Sequence, residues 1–212
     1  MAIRKIVRPE RQSSPLEEIM DPFNAHAALL VIDVQQGFSD PSWGPRNNPE
    51  AEANIDRLLA AWRESGRPVV HVHHDSPSPN GRFVPGTPGN SPKAEAVPRE
   101  GEPVHHKTVN SGFIGTKLEH YLRAAEIDTL VIVGLTTQHC VSTTTRMAGN
   151  LGFHAYVVAD ATAAFDQIGI DGRKRAASDV HFAALSDLNG EFATVVETKT
   201  ILDSVLGPGR NG

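Results

Sequence analysis

A chain of 212 residues with 39% hydrophobic and 21% charged content is long enough for one domain with a sizeable core. Its formal net charge of -5 removes the broad electrostatic reason to bind nucleic acid or an anionic membrane. Its one cysteine excludes an internal disulfide and any zinc site built on several thiolates.

No run approaches the roughly 18 apolar residues of a spanning helix. The N-terminus is basic (Arg4, Lys5, Arg8, Arg11) but lacks a following apolar segment, so a cytoplasmic chain is expected. Residues 1–24 are polar and aperiodic; they read either as an arm lying on the body or a neighbouring subunit, or as a loose tail. The remainder, 25–212, reads as a single domain. Residues 27–34 form an apolar run ending in a carboxylate, a strand buried on both faces. Residues 49–64 carry Ile55, Leu58, Leu59 and Trp62 at helical spacing. Residues 68–73 are a second strand. Residues 75–103 hold seven prolines and form a long loop of the kind that serves as a lid or binding surface. Residues 104–107 are a short third strand or edge. A helix over 115–126, a strand over 128–134, a helix over 140–150, a strand over 154–160, a helix over 172–188 and a strand over 192–196 complete the chain. This alternation predicts an α/β fold of three αβα layers around a mainly parallel sheet.

In such sheets ligands bind beyond the carboxyl ends of the strands. Asp33 ends the first strand, Lys107 the third, and Cys140 follows the fourth. A thiol must ionise to attack a carbonyl, and a helix N-terminus and an ammonium both favour the thiolate. A carboxylate within reach takes the proton and returns it to a leaving amine. Each residue alone also has an ordinary role: Asp33 as a turn residue, Lys107 as a solvated charge, Cys140 as a small core residue.

The segments VIDVQ (31–35), HKTVNSGF (106–113) and GLTTQHCVSTT (134–144) resemble the isochorismatase-like cysteine hydrolases. The resemblance runs from about residue 25 to 197 and looks closest to amidase-type members such as streptothricin hydrolase. It implies a doubly wound, Rossmann-like sheet of six strands and a catalytic triad of Cys140, Asp33 and Lys107. It also implies a cis peptide at Leu135–Thr136 and an oxyanion hole from the Thr136 and Cys140 N–H groups, each such donor being worth roughly 3–4 kcal/mol. A homo-oligomer, a dimer or higher, is implied as well. Isochorismatases proper cleave a vinyl ether without a thiol nucleophile, so Cys140 argues for acyl chemistry. Gln138 stands where relatives often carry Asp, as a substrate contact or a surface hydrogen bond.

Phe38, Trp43, Phe113 and Phe165 fall near strand ends and suggest an apolar wall; with Asn110 and His139 they are the candidate substrate-binding residues. His71, His73, His74 and Asp75 cluster after the second strand. They lack the Asp-x-His order of the zinc-binding nicotinamidases of the same superfamily, so no metal is expected. Ser111 has no nucleophile elbow around it. No phosphate-binding glycine pattern follows the first strand, so no cofactor is expected. The chain therefore reads as a hydrolase of a small-molecule amide or related C–N bond, acting through a thioester on Cys140. The alternatives are a non-catalytic binding protein of the same fold and a metal-dependent, nicotinamidase-like amidase.

Overall fold

A computed structural model describes residue 23 and residues 25–207. The N-terminal segment lies outside the described residues apart from Phe23, which is buried against Tyr156. In chain order the elements are β1 (Ala28–Ile32), α1 (Ala51–Glu64), β2 (Val69–His74), β3 (Val104–Lys107), α2 (Leu118–Ala124), β4 (Thr129–Leu135), α3 (Ser142–Asn150) and β5 (His154–Ala163). The short strands β6 (Gln167–Ile168) and β7 (Lys174–Arg175), then α4 (Ala177–Leu188), β8 (Thr194–Val196) and α5 (Thr198–Leu206) follow.

Six strands form one parallel sheet in the order β3-β2-β1-β4-β5-β8. All five residues of β1 and all seven of β4 are buried, because helices cover both faces. Leu29 and Val31 pack with Ile55, Leu58 and Trp62 of α1 and Ile201 of α5. Leu30 and Ile32 point the other way, to Leu118 and Leu122 of α2, Ala148 of α3 and Leu188 of α4. The three layers follow from this two-sided burial.

From β1 the chain winds outward through β2 to β3, and from β4 through β5 to β8. The reversal falls between β1 and β4, where the crevice of a doubly wound sheet opens. Gly134 has φ 124°, and a Cβ there would stand 2.0 Å from Ile32 O, so the two central strands approach as only glycine permits. The β4–β5 register shifts at the same place, between Ile132 and Gly134.

Several boundaries differ from the sequence-based expectation. The helix expected over 115–126 is confined to α2; Thr116 Oγ1 accepts from Leu118 N and starts it late. The helix expected over 140–150 is a π-helical turn, Thr137–Val141, followed by α3. The start of the helix expected over 172–188 belongs instead to the β6–β7 hairpin, and α4 begins at Ala177, whose N–H donates to Asp166 Oδ1. The final strand is shorter, and α5 was not foreseen.

Candidate active site at the carboxyl end of the sheet

The chain turns sharply after β1. Asp33 sits in the left-handed region (φ 51°), one that Asp tolerates better than most residues, while its N–H donates to Val72 O. Its side chain is thereby held at the crevice, 1% exposed. Lys107, also 1% exposed, arrives from the edge strand β3. Its Nζ donates to Asp33 Oδ2 at 2.6 Å, to His74 Nδ1 at 3.2 Å and to Cys140 Sγ at 3.4 Å. Asp33 Oδ1 has no nitrogen or oxygen donor.

Cys140 stands inside the π-helical turn after β4. The Leu135–Thr136 peptide is cis. Thr136 O accepts from His139 N and Val141 N, and not from Cys140 N between them. Thr136 N–H donates to no backbone carbonyl among the described residues. The turn is fixed from behind: Thr137 Oγ1 is 2.8 Å from His181 Nδ1 of α4, and Asn48 reaches His181 from the opposite side at 3.5 Å.

Lys107 favours the thiolate, but the surroundings of Cys140 favour the thiol more strongly. Burial, and then the Asp33 carboxylate, push the Cys140 thiol up to about 12, outweighing Lys107. Burial also raises Asp33 above the ordinary carboxylate range, with Lys107 opposing it. His74 and His139 are lowered by burial, and His74 further by Lys107. The resting site at neutral pH holds a neutral thiol and two neutral histidines around the Lys107–Asp33 contact.

A cavity of about 270 Å³ opens above these groups, lined by Asp33, Phe38, Trp43, His74, Phe83, Asn110, Thr136, His139 and Cys140. Four of the expected substrate-binding residues, Phe38, Trp43, Asn110 and His139, lie on its wall. Phe165 does not reach it. It stacks on Trp43 at 5.2 Å and backs the wall. Phe113 corrects the expectation outright: its ring stacks on Phe153 at 5.8 Å beside α2 and α3, joining the core. Two wall residues went unrecognised as such. His74 was legible as the strand residue facing away from His71 and His73. Phe83 sits in the long loop, where no periodicity marks an inward side chain. Trp43 is set by its Nε1–H donating to Gly37 O at 2.9 Å.

The His71–Asp75 group does not converge. His71 pairs with Glu102 and Asp75 with His106. Asp33, His74 and Cys140 bring one metal-type donor atom each within 4.8 Å, but Lys107 Nζ contacts all three, so a fixed positive charge stands where a cation would bind. Ser111 Oγ accepts from Phe113 N, a loop role. Gln138 faces away from the thiol. It lines a larger hollow of about 730 Å³ between α3, α4 and the hairpin, which contains none of Asp33, Lys107 and Cys140. The thiol, the carboxylate and the ammonium together favour the smaller cavity as the site of chemistry.

An isochorismatase domain model matches residues 27–200. The chain is 46% identical to a putative hydrolase of the isochorismatase family from Chromobacterium violaceum, whose crystal structure superposes with a TM-score of 0.84, covering 85% of this chain and 94% of that one. It is 32% identical to the maleamate amidohydrolase of Pseudomonas putida over 191 residues, 82% of this chain and 84% of that protein. It is 37% identical to a streptothricin hydrolase of Streptomyces noursei over 142 residues, 66% of this chain and 50% of that protein. The TM-score of 0.84 against that crystal structure and a domain match across residues 27–200 agree: this protein belongs to the isochorismatase family of hydrolases.

Proposed function

We propose that the protein hydrolyses a C–N bond of a small amide through a thioester on Cys140. The observation that carries this reading is one buried ammonium, Lys107 Nζ, 2.6 Å from the Asp33 carboxylate and 3.4 Å from Cys140 Sγ at the floor of a small cavity. The similarity to maleamate amidohydrolase supports an amide as the bond cleaved.

In this mechanism the thiol proton passes to Asp33 as Sγ attacks the carbonyl carbon. A thiol as reluctant to ionise as Cys140 needs such a base within the site. The carbonyl oxygen becomes an oxyanion held by the Thr136 and Cys140 N–H groups. On collapse the C–N bond breaks, and the proton on Asp33 goes to the leaving nitrogen. Asp33 then takes a proton from water as its oxygen attacks the thioester. The acid leaves, and the thiol regains its proton. Lys107 keeps Asp33 ionised before attack and offsets the negative charge that moves between oxygen and sulfur.

A lone cysteine suits a reducing compartment, and we place the enzyme in the cytoplasm. We also carry a homo-oligomer in the proposal; Ile168, Ile170 and Phe182 leave apolar side chains exposed, and sedimentation analysis tests it.

The decisive experiment screens small amides, ureas and lactams against wild type and Cys140→Ala. Turnover is expected to fall by roughly 10³-fold or more in the variant, with its circular dichroism unchanged. An acyl adduct on Cys140 is expected by intact-protein mass spectrometry. Full activity in the alanine variant sinks the mechanism. Binding of a small molecule without any adduct or turnover favours a non-catalytic binding protein.

A further inference from the structure

Charge inside the cavity is already balanced. Lys107 carries three ammonium protons, and its Nζ has three partners: Asp33 Oδ2, His74 Nδ1 and Cys140 Sγ. No proton is left over for a ligand carboxylate. Lys107 lies beneath the lining side chains, and among the described residues no lysine or arginine forms part of the wall itself. The neighbouring guanidinium, Arg82, lies 4.5 Å over the Trp43 ring and is committed to Asp40 at 3.6 Å and Ser42 Oγ at 2.7 Å. The one carboxylate of the wall, Asp33, is matched in charge by Lys107 through Oδ2, and its Oδ1 is the oxygen left to take the thiol proton, so an incoming ammonium competes with the chemistry for it.

One side of the wall is aromatic; the other carries the uncharged polar groups Asn110, Thr136 and His139. Phe38 and Phe83 meet at 4.7 Å, and Trp43 joins them at 5.2 Å from Phe38. The Trp43 indole N–H is already used by Gly37 O. At about 270 Å³ the space falls below the roughly 300–1,000 Å³ of pockets for drug-sized ligands. A charged group pressed against the Phe38, Trp43 and Phe83 side loses its hydration and meets no opposite charge there, whereas an alkyl or aryl group of the same shape gains contact.

Building on the amide-hydrolase reading, we infer that the site selects small uncharged amides whose acyl group is apolar, and rejects amides that carry a carboxylate or an ammonium. The selection is electrostatic: the ammonium that touches the cavity's reactive groups is used up by Asp33, His74 and Cys140.

The test separates binding from chemistry. Three amides of matched shape are used: 4-methylpentanamide, succinamate, in which a carboxylate replaces the isopropyl group, and 4-aminobutanamide. Equilibrium binding to Cys140→Ala is measured for each, and acyl-adduct formation on wild-type Cys140 is followed by mass spectrometry. The neutral amide is expected to bind the variant roughly 30-fold or more tightly than either charged analogue. Adduct formation from the neutral amide alone supports both readings. Tighter neutral binding without any adduct leaves charge selection standing and removes the hydrolase reading. Succinamate or 4-aminobutanamide binding as well as the neutral amide overturns the inference, as does no measurable binding of the neutral amide. In the gain-of-charge variant Asn110→Arg, at the exposed rim, the preference is expected to move roughly tenfold toward succinamate. A preference unmoved by that cation also counts against the inference.

Discussion

Lys107 touches both of the other residues expected to react, Asp33 and Cys140, so the structure brings the three together. Asp33, Lys107 and Cys140 were legible because each ends a strand or follows one, and parallel sheets gather such ends. The ionisation of Cys140 was not legible, since it depends on how much water reaches the sulfur, and 9% exposure next to a carboxylate decides it. This has a measurable consequence for stability. An unfolded thiol releases its proton near pH 9, whereas the folded one holds it to about 12. Folding therefore binds a proton between these values, and stability falls as pH rises through that window by about 1.4 kcal/mol per unit, with no contribution below it. Cys140→Ser removes the titrating group. Denaturant unfolding of wild type and variant at pH 8 and pH 10.5 is expected to show a loss specific to wild type, and parallel pH profiles would contradict it.

At the scale of elements, two of the missed helix starts, those of α4 and α5, are set by acceptors outside the helix. Ala177 N–H donates to Asp166 Oδ1, which sets the start of α4 after a hairpin that itself has two residues per strand. The N–H and hydroxyl of Thr198 both donate to Asp160 Oδ1 on β5, so α5 begins against a residue 38 positions earlier. Its β-branched residues Thr198, Thr200, Ile201 and Val205 weaken the local helical signal, and packing of Ile201 and Leu202 on the sheet replaces it. The long loop is likewise tied at its end. Glu102 takes a forked pair from Arg63 of α1 at 2.8 Å, the Arg99 N–H at 2.9 Å and His71 Nε2 of β2 at 2.9 Å. Burial opposes ionisation of Glu102, but these donors outweigh it and hold the pKa at about 2. This contribution is complete above the ordinary glutamate range, near pH 4.3, and is lost as pH falls toward 2. Glu102→Gln is therefore expected to be less stable than wild type at pH 7, with the gap closing at pH 2–3. A gap independent of pH in thermal unfolding refutes the assignment.

Across the whole molecule, the crevice exists because β1 and β4 lie side by side and the chain winds away from them in both directions. Gly134 is the position that permits this. Its φ of 124° and the 2.0 Å approach of a would-be Cβ to Ile32 O leave no room for alanine without moving a central strand. Gly134→Ala is expected to cost roughly 3 kcal/mol or more, because a backbone clash adds to the strain. Gly152→Ala, with φ 88° and open space around it, serves as the control and is expected to cost roughly 1 kcal/mol. Urea unfolding of the two variants checks the difference, and equal losses would show that the close approach is not what matters.

The sequence by itself determined the α/β class, the order of the main strands and helices, and the placing of Asp33, Lys107 and Cys140 at strand ends, because burial on two faces writes continuous apolar runs and leaves polar residues at their ends. Only the tertiary structure decided that Phe38, Trp43, His74 and Phe83 share a wall while Phe113 turns into the core. It alone decided that Cys140 rests as a neutral thiol and that Lys107 has no proton to spare. Side-chain direction in loops, helix caps borrowed from distant strands and desolvation all arise from what packs against a residue, and that is a property of the assembled chain rather than of any local segment.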